Sequence, residues 1–223
     1  MGTSSAAAGT VQAVVFDYGG VLTNSGGSAI RAWTARERID PDTFSAALKE
    51  WLSRDAPAGT PVHRLETGEL SAEEFNRLLA DRLRTVDGQP VAPDGLIQRM
   101  FAEMRLEPAM LDLVRRIRDS GVRTAMLSNS WGNAYPWDEL SGLFEFAVVS
   151  AELGLRKPDE RIYRHTLDRL GLAAPDVVLV DDGAPNTEAA QRLGLRTVLH
   201  TDPADTRDQL GDLLAAPHDK EPQ

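Results

Sequence analysis

Three features of the sequence predict an α/β protein, a three-layer core around a parallel sheet that is interrupted by an inserted block of helices. From Pro108 onward, short apolar segments alternate strictly with amphipathic helical segments, the pattern of βαβ units. Far upstream, Ala13 to Phe16 is an unbroken apolar run, as expected of a strand buried on both faces. Between them, residues 24–105 carry helical periodicity and no strand signal.

Taken in order, residues 1–11 are small and polar and are expected to form a disordered extension. The strand Ala13–Phe16 runs into Asp17, and Gly19 and Gly20 then let the chain turn sharply. Asn24 to Ser28 reads as flexible. Asp40-Pro41 starts a helix whose apolar positions are Phe44, Leu48, Trp51 and Leu52. A Pro/Gly-rich loop spans Ala56 to Pro61, and Ser71 with Glu74 forms a capping box before Phe75, Leu78, Leu79 and Leu83. After a loop from Asp87 to Pro93, Leu96, Ile97, Met100 and Phe101 close the helical block.

The α/β alternation then begins. Met110, Leu111, Val114 and Ile117 mark a helix stopped by Gly121, and the strand Thr124–Leu127 ends at Ser128-Asn129-Ser130. The strand Phe146–Val149 ends at Ser150, and a helix opened by Pro158 stops at Gly171. The strand Val177–Val180 ends in Asp181-Asp182, a helix runs from near Asn186 to Gly194, and Thr197–Leu199 is the last strand. The expected division is a core of residues 12–23 and 106–205, a helical cap of 24–105, and a C-terminal helix or tail of 206–223, loose from Pro217.

Composition narrows the function. In 223 residues the net charge is −10, which argues against a nucleic-acid backbone or an acidic membrane surface as partner. Cysteine is absent, so disulfides, zinc thiolates and a Cys nucleophile are excluded, in keeping with a cytoplasmic location. No basic leader precedes the first apolar run, and Asp17 interrupts that run, so neither signal peptide nor membrane span is expected. The four histidines are scattered without ligand spacing. A monomer or homodimer is expected.

The polar residues at the strand ends are Asp17, Ser128 and Asn129, Ser150 leading to Lys157, and Asp181 with Asp182. Ligands of an open parallel sheet bind outside the carboxyl ends of its strands, so three carboxylates, a hydroxyl, an amide and an amine fall along one rim. Each alone has a plainer role as turn former or strand end. Together they point to a site. Adjacent carboxylates repel, and a hard divalent cation relieves that cost. Lys157, beside a predicted helix N-terminus, is electrostatically misplaced unless an anion meets it there.

These four segments resemble the four motifs of the haloacid dehalogenase-like (HAD) hydrolase superfamily, in the subfamily with a helical cap inserted after the first motif. Phe16 to Leu22 is similar to motif one, Leu127-Ser128-Asn129 to motif two, Lys157-Pro158 to motif three, and Val180-Asp181-Asp182 with Asn186 to motif four. The resemblance implies a Rossmann-like core and a phosphatase acting on a small anionic, phosphorylated metabolite. Asp17 would be the nucleophile, forming an aspartyl-phosphate. Mg²⁺ would be held by Asp17, the backbone carbonyl of Gly19 and Asp182, with Asp181 either ligand or supporting residue. Ser128, the Asn129 amide and Lys157 would neutralise the phosphoryl oxygens.

One position departs from that pattern. Most phosphatases of the superfamily carry an acid/base Asp two residues after the nucleophile, where this chain has Gly19. Loss of such a group removes about 10²–10⁴ in rate. Three readings stay open: a phosphatase that uses water or a cap residue instead, a metal-independent 2-haloacid dehalogenase or other hydrolysis, and a weakened binding or regulatory protein. A Schiff-base role for Lys49, the cap's only lysine, is disfavoured because it lies off the apolar face. Trp131, Tyr135 and Trp137 should lie near the rim as packing residues, and Trp33 and Arg36 are cap candidates for substrate contact.

Overall fold

The computed structural model describes residues 10–52, 58–132 and 135–215. The expectations for residues 1–9, for Ala56 and Pro57 of the expected loop, and for the tail from Pro217 therefore lie outside the described residues. The chain runs through β1 (Ala13–Phe16), α1 (Gly26–Arg36), α2 (Pro41–Leu52), α3 (Pro61–Glu66), α4 (Ala72–Arg82), α5 (Leu96–Met100) and α6 (Pro108–Asp119). It continues through β2 (Arg123–Ser128), α7 (Trp137–Leu140), β3 (Ala147–Val149), α8 (Ser150–Leu153), α9 (Glu160–Leu170), β4 (Val177–Asp181), α10 (Ala184–Arg192), β5 (Arg196–Leu199) and α11 (Pro203–Ala215). No helix among the described residues is long and apolar enough to cross a membrane.

All strand pairs are parallel and the order is β3-β2-β1-β4-β5. β1 lies at the centre, with Phe16 in register with Met126 on one side and Val180 on the other. Alternate residues of a strand point to opposite faces. Val14, Phe16, Val178 and Val180 accordingly pack with Met110 and Val114 of α6 and Leu210 of α11, while Val15 and Leu179 pack with Ile162 and Tyr163 of α9 and Ala189 of α10. The result is the three-layer parallel core the alternation predicts. The connections after β1 and β4 leave toward opposite faces, which opens a crevice between the carboxyl ends of these two strands.

Helices α1 to α5 have their own apolar cluster, centred on Trp33, Trp51, Phe75 and Leu79, all buried. The chain enters and leaves this block side by side: Thr23 bridges Leu106 antiparallel, and Asn24 Oδ1 accepts from the Arg105 amide at 2.7 Å. Core and helical block also touch at α3 and α8, where Gly68 (φ +75°) lies so close to the Ala151 carbonyl that a Cβ there would come within 2.5 Å.

Several local expectations are corrected. The segment Asn24–Ser28 is not a flexible linker; Ser25 caps α1 by accepting from the Ser28 amide, so its glycines lie in a helical turn. The helix after Lys157 is opened by Asp159, whose carboxylate accepts from the Arg161 amide, and not by Pro158. α10 begins at Ala184, two residues before Asn186. The short helices α3 and α8 follow loops or strand ends and have too few turns for a periodicity signal.

Phe75 is fully buried in the cap cluster and meets Trp51 and Trp131 edge-on at 5.8 and 5.5 Å between ring centroids. Phe75→Ala is expected to lower unfolding free energy by about 3–5 kcal/mol, measured by urea denaturation; a loss under about 1 kcal/mol would contradict this packing.

Candidate active site

The site forms where β1 and β4 end. Because Phe16 is in register with Val180, Asp17 and Asp181 are the next residues of neighbouring strands and share the α9/α10 side of the sheet. Two carboxylates are thus brought face to face. The loop before α9 supplies the cation between them: Lys157 Nζ is 2.8 Å from Asp17 Oδ1 and 2.6 Å from Asp181 Oδ2. The ammonium is 1% exposed, a position tolerable only with both partners in place.

Asp181 is saturated. Besides Lys157, its Oδ1 accepts from the Gly183 amide at 2.8 Å and Asn186 Nδ2 at 2.9 Å. Asp182 instead opens onto the cavity. It is admitted by Gly20 (φ +84°), where a Cβ would come within 2.2 Å of Asp182 Oδ2. The carboxylates of Asp17, Asp181 and Asp182 lie within 4.8 Å of one another. Three carboxyl groups against a single ammonium make a donor set suited to a hard divalent cation. The Gly19 carbonyl belongs to the same turn, and Gly19 lines the cavity.

These charges perturb one another. Burial pushes the Asp17 carboxyl up to about 7, opposed by Lys157 and reinforced by Asp181. Burial alone would lower Lys157, but Asp17 and Asp181 outweigh it and hold the amine above its ordinary value. Asp182 is raised by the protein around it and by Asp181. Burial also raises the Tyr135 phenol, which stays a donor to Ser128 Oγ at 3.0 Å. Ser128 thus keeps its own proton, whose protein acceptor, the Asn129 carbonyl, is a distant 3.5 Å away.

Asn129 lines the cavity, and its side chain also bonds the backbone of Lys157. Its Oδ1 accepts from the Lys157 amide at 2.8 Å and its Nδ2 donates to the Lys157 carbonyl at 3.0 Å, so the amide clamps the lysine loop. Sequence reasoning missed Glu66, a buried carboxylate at the end of α3, which receives Arg156 Nε, Trp131 Nε1 at 2.9 Å and Asn129 Nδ2 at 3.4 Å. The Thr60-Pro61 pair, cap and first residue of α3, was its available signal. Of the aromatic residues after Ser128, Trp131 and Tyr135 line the cavity. Trp137 is an exposed surface residue. Trp33 lies in the cap core and Arg36 pairs with Glu103; neither lines the cavity, and Lys49 is exposed outside it.

A carboxyl raised from 3.8 to about 7 binds a proton in the folded state that the unfolded chain releases, so its contribution to stability falls as pH rises from about 4 to about 7. In chelator, the melting temperature of Asp17→Asn should therefore gain on the parent between pH 5 and pH 8, and added Mg²⁺ should stabilise the parent more at pH 8 than at pH 5. A parent–variant difference independent of pH would contradict the assignment of this carboxyl.

Comparisons with known proteins agree with the fold. The family model described as a haloacid dehalogenase-like hydrolase matches residues 11–194. Acyl-CoA dehydrogenase family member 10 of Mus musculus is 30% identical over 92% of this chain, and D-ribitol-5-phosphate phosphatase of Bacteroides thetaiotaomicron is 27% identical over 92% of this chain and 98% of its own length. The chain spans 19–37% of the length of the first curated relatives it matches. A B. thetaiotaomicron HAD family enzyme solved with magnesium and inorganic phosphate superposes with TM-score 0.62 at 21% identity, covering 86% of this chain and 94% of that one. This chain belongs to the haloacid dehalogenase-like hydrolases.

Proposed function

We propose that this hydrolase is a Mg²⁺-dependent phosphatase of a small phosphorylated substrate and works through a covalent aspartyl-phosphate on Asp17. The observation that carries this reading is the charge imbalance: three carboxylates within 4.8 Å of one another face one ammonium. A metal-independent dehalogenase would leave that repulsion unrelieved. A phosphatase among the relatives and a magnesium–phosphate complex among the structural neighbours support the same reading.

Asp17, the Gly19 carbonyl and Asp182 would hold the ion, with Asp181 behind them holding Lys157. When bound, Mg²⁺ would neutralise charge on the phosphoryl oxygens. Asp17 Oδ1 is held by the Tyr18 amide at 2.7 Å and by Lys157, which leaves Oδ2 as the attacking atom. The new oxygen–phosphorus bond forms as the ester oxygen departs. That oxygen takes its proton from water, because position 19 offers no side chain. Lys157 and the Ser128 hydroxyl meet the charge on the phosphoryl oxygens, while Tyr135 aims Ser128 and Asn129 holds the lysine loop. Water then attacks phosphorus, releasing phosphate and restoring the Asp17 carboxylate.

Hydrolysis of p-nitrophenyl phosphate should require Mg²⁺ and fall at least 10³-fold in Asp17→Asn. A Cβ at Gly19 would meet nothing within 4 Å, so a side chain can begin there without a clash. Gly19→Asp should speed alkyl phosphates, whose leaving groups need a proton, by tenfold or more, with little effect on p-nitrophenyl phosphate. Chelator-insensitive turnover of 2-haloacids would replace this reading with dehalogenation. Absence of turnover on every ester would leave a binding protein.

A further inference from the structure

We infer that the substrate is the phosphate monoester of an apolar alcohol, with a hydrocarbon tail lying under the cap; the inference rests on the phosphatase reading above. A cavity of about 960 Å³ extends from Asp17 and Lys157 into the helical block, far more than a phosphate fills. Its polar groups are concentrated on the floor, at the strand ends. The walls contributed by the helices and by the returning chain are mostly apolar, with Ile30 of α1, Leu48 and Leu52 of α2, Phe101, Met104 and Leu106 beside the polar Glu66, Gln98 and Arg105.

α2 reveals how this wall is made. Phe44, Ala47 and Trp51 are buried in the cap cluster, so one face of the helix already satisfies the cap's own packing. Leu48 and Leu52, one turn apart, continue the apolar surface into the cavity, and Leu52 remains 43% exposed. Folding of the cap covers Leu48 only in part and leaves Leu52 exposed, which suits a tail that would cover both.

The wall's polar groups do not suit a polyol or a second anion. Glu66 is committed to Arg156 and Trp131. The Arg105 guanidinium is turned to the Ala102 and Met104 carbonyls and to Glu103. The Tyr18 hydroxyl, Gln98 and Glu139 remain, too few for a chain of hydroxyls, each of which needs a partner when desolvated. The acidic Glu139 also opposes a carboxylate or second phosphate.

The test is a series of n-alkyl phosphates from butyl to decyl, kept below their micelle concentrations, against ribitol 5-phosphate and with p-nitrophenyl phosphate in parallel. With Mg²⁺, kcat/KM should rise about two- to fourfold per methylene, and the decyl ester should exceed ribitol 5-phosphate by at least 10²-fold. Leu48→Asn and Leu52→Asn should flatten that slope, with butyl phosphate least affected. The series on the unaltered protein needs no variant to fold. A flat slope or preference for ribitol 5-phosphate, with p-nitrophenyl phosphate still hydrolysed, would overturn the inference and spare the phosphatase reading. Loss of all ester hydrolysis would overturn both.

Discussion

The structure turns on one buried cation. Parallel pairing of β1 with β4 places Asp17 beside Asp181, and the Lys157 ammonium bridges the two carboxylates. Much of the surrounding architecture keeps the lysine there: Asn129 grips its backbone, Gly183 and Asn186 take the remaining lone pairs of Asp181, and the loop ahead of α9 brings it over the strand ends. A buried ion pair contributes little net stability compared with an apolar substitute, so its retention speaks for chemistry at the site more than for folding.

The helical block is joined to this site by a second polar cluster of different character. Glu66 gathers an arginine, an indole and an amide from the core, and Ser150 bonds both the Glu66 carbonyl and the Ser130 amide. Because Asn129 touches both Glu66 and the Lys157 backbone, the position of the cap and the position of the catalytic floor share a residue. The cap thereby supplies the cavity's apolar wall and also bears on the loop that holds the cation.

The absence of a side chain at position 19 acquires a structural context. The space beside Gly19 is open, and Glu66, the one carboxylate of the helical block that lines the cavity among the described residues, is already engaged. The turn at Gly19 therefore lines the cavity while offering no built-in proton donor to a departing oxygen.

The sequence alone determined the fold class, because fully buried parallel strands must be short unbroken apolar runs, and Ala13–Phe16 and Val177–Val180 can be little else. It also marked the polar residues at the strand ends, since a carboxylate that stops an apolar run must lie at a rim. Only tertiary structure could divide Asp181 from Asp182: their roles follow from the register of β4 against β1, which turns Asp181 toward Lys157 and Asp182 toward the cavity. Only tertiary structure could reveal Glu66 as well, on a six-residue helix too short for periodicity, or assign Leu48 and Leu52 to a cavity wall when their spacing matches ordinary core packing. Periodicity records that a side chain avoids water, while the partner it meets is set by chain segments distant in sequence.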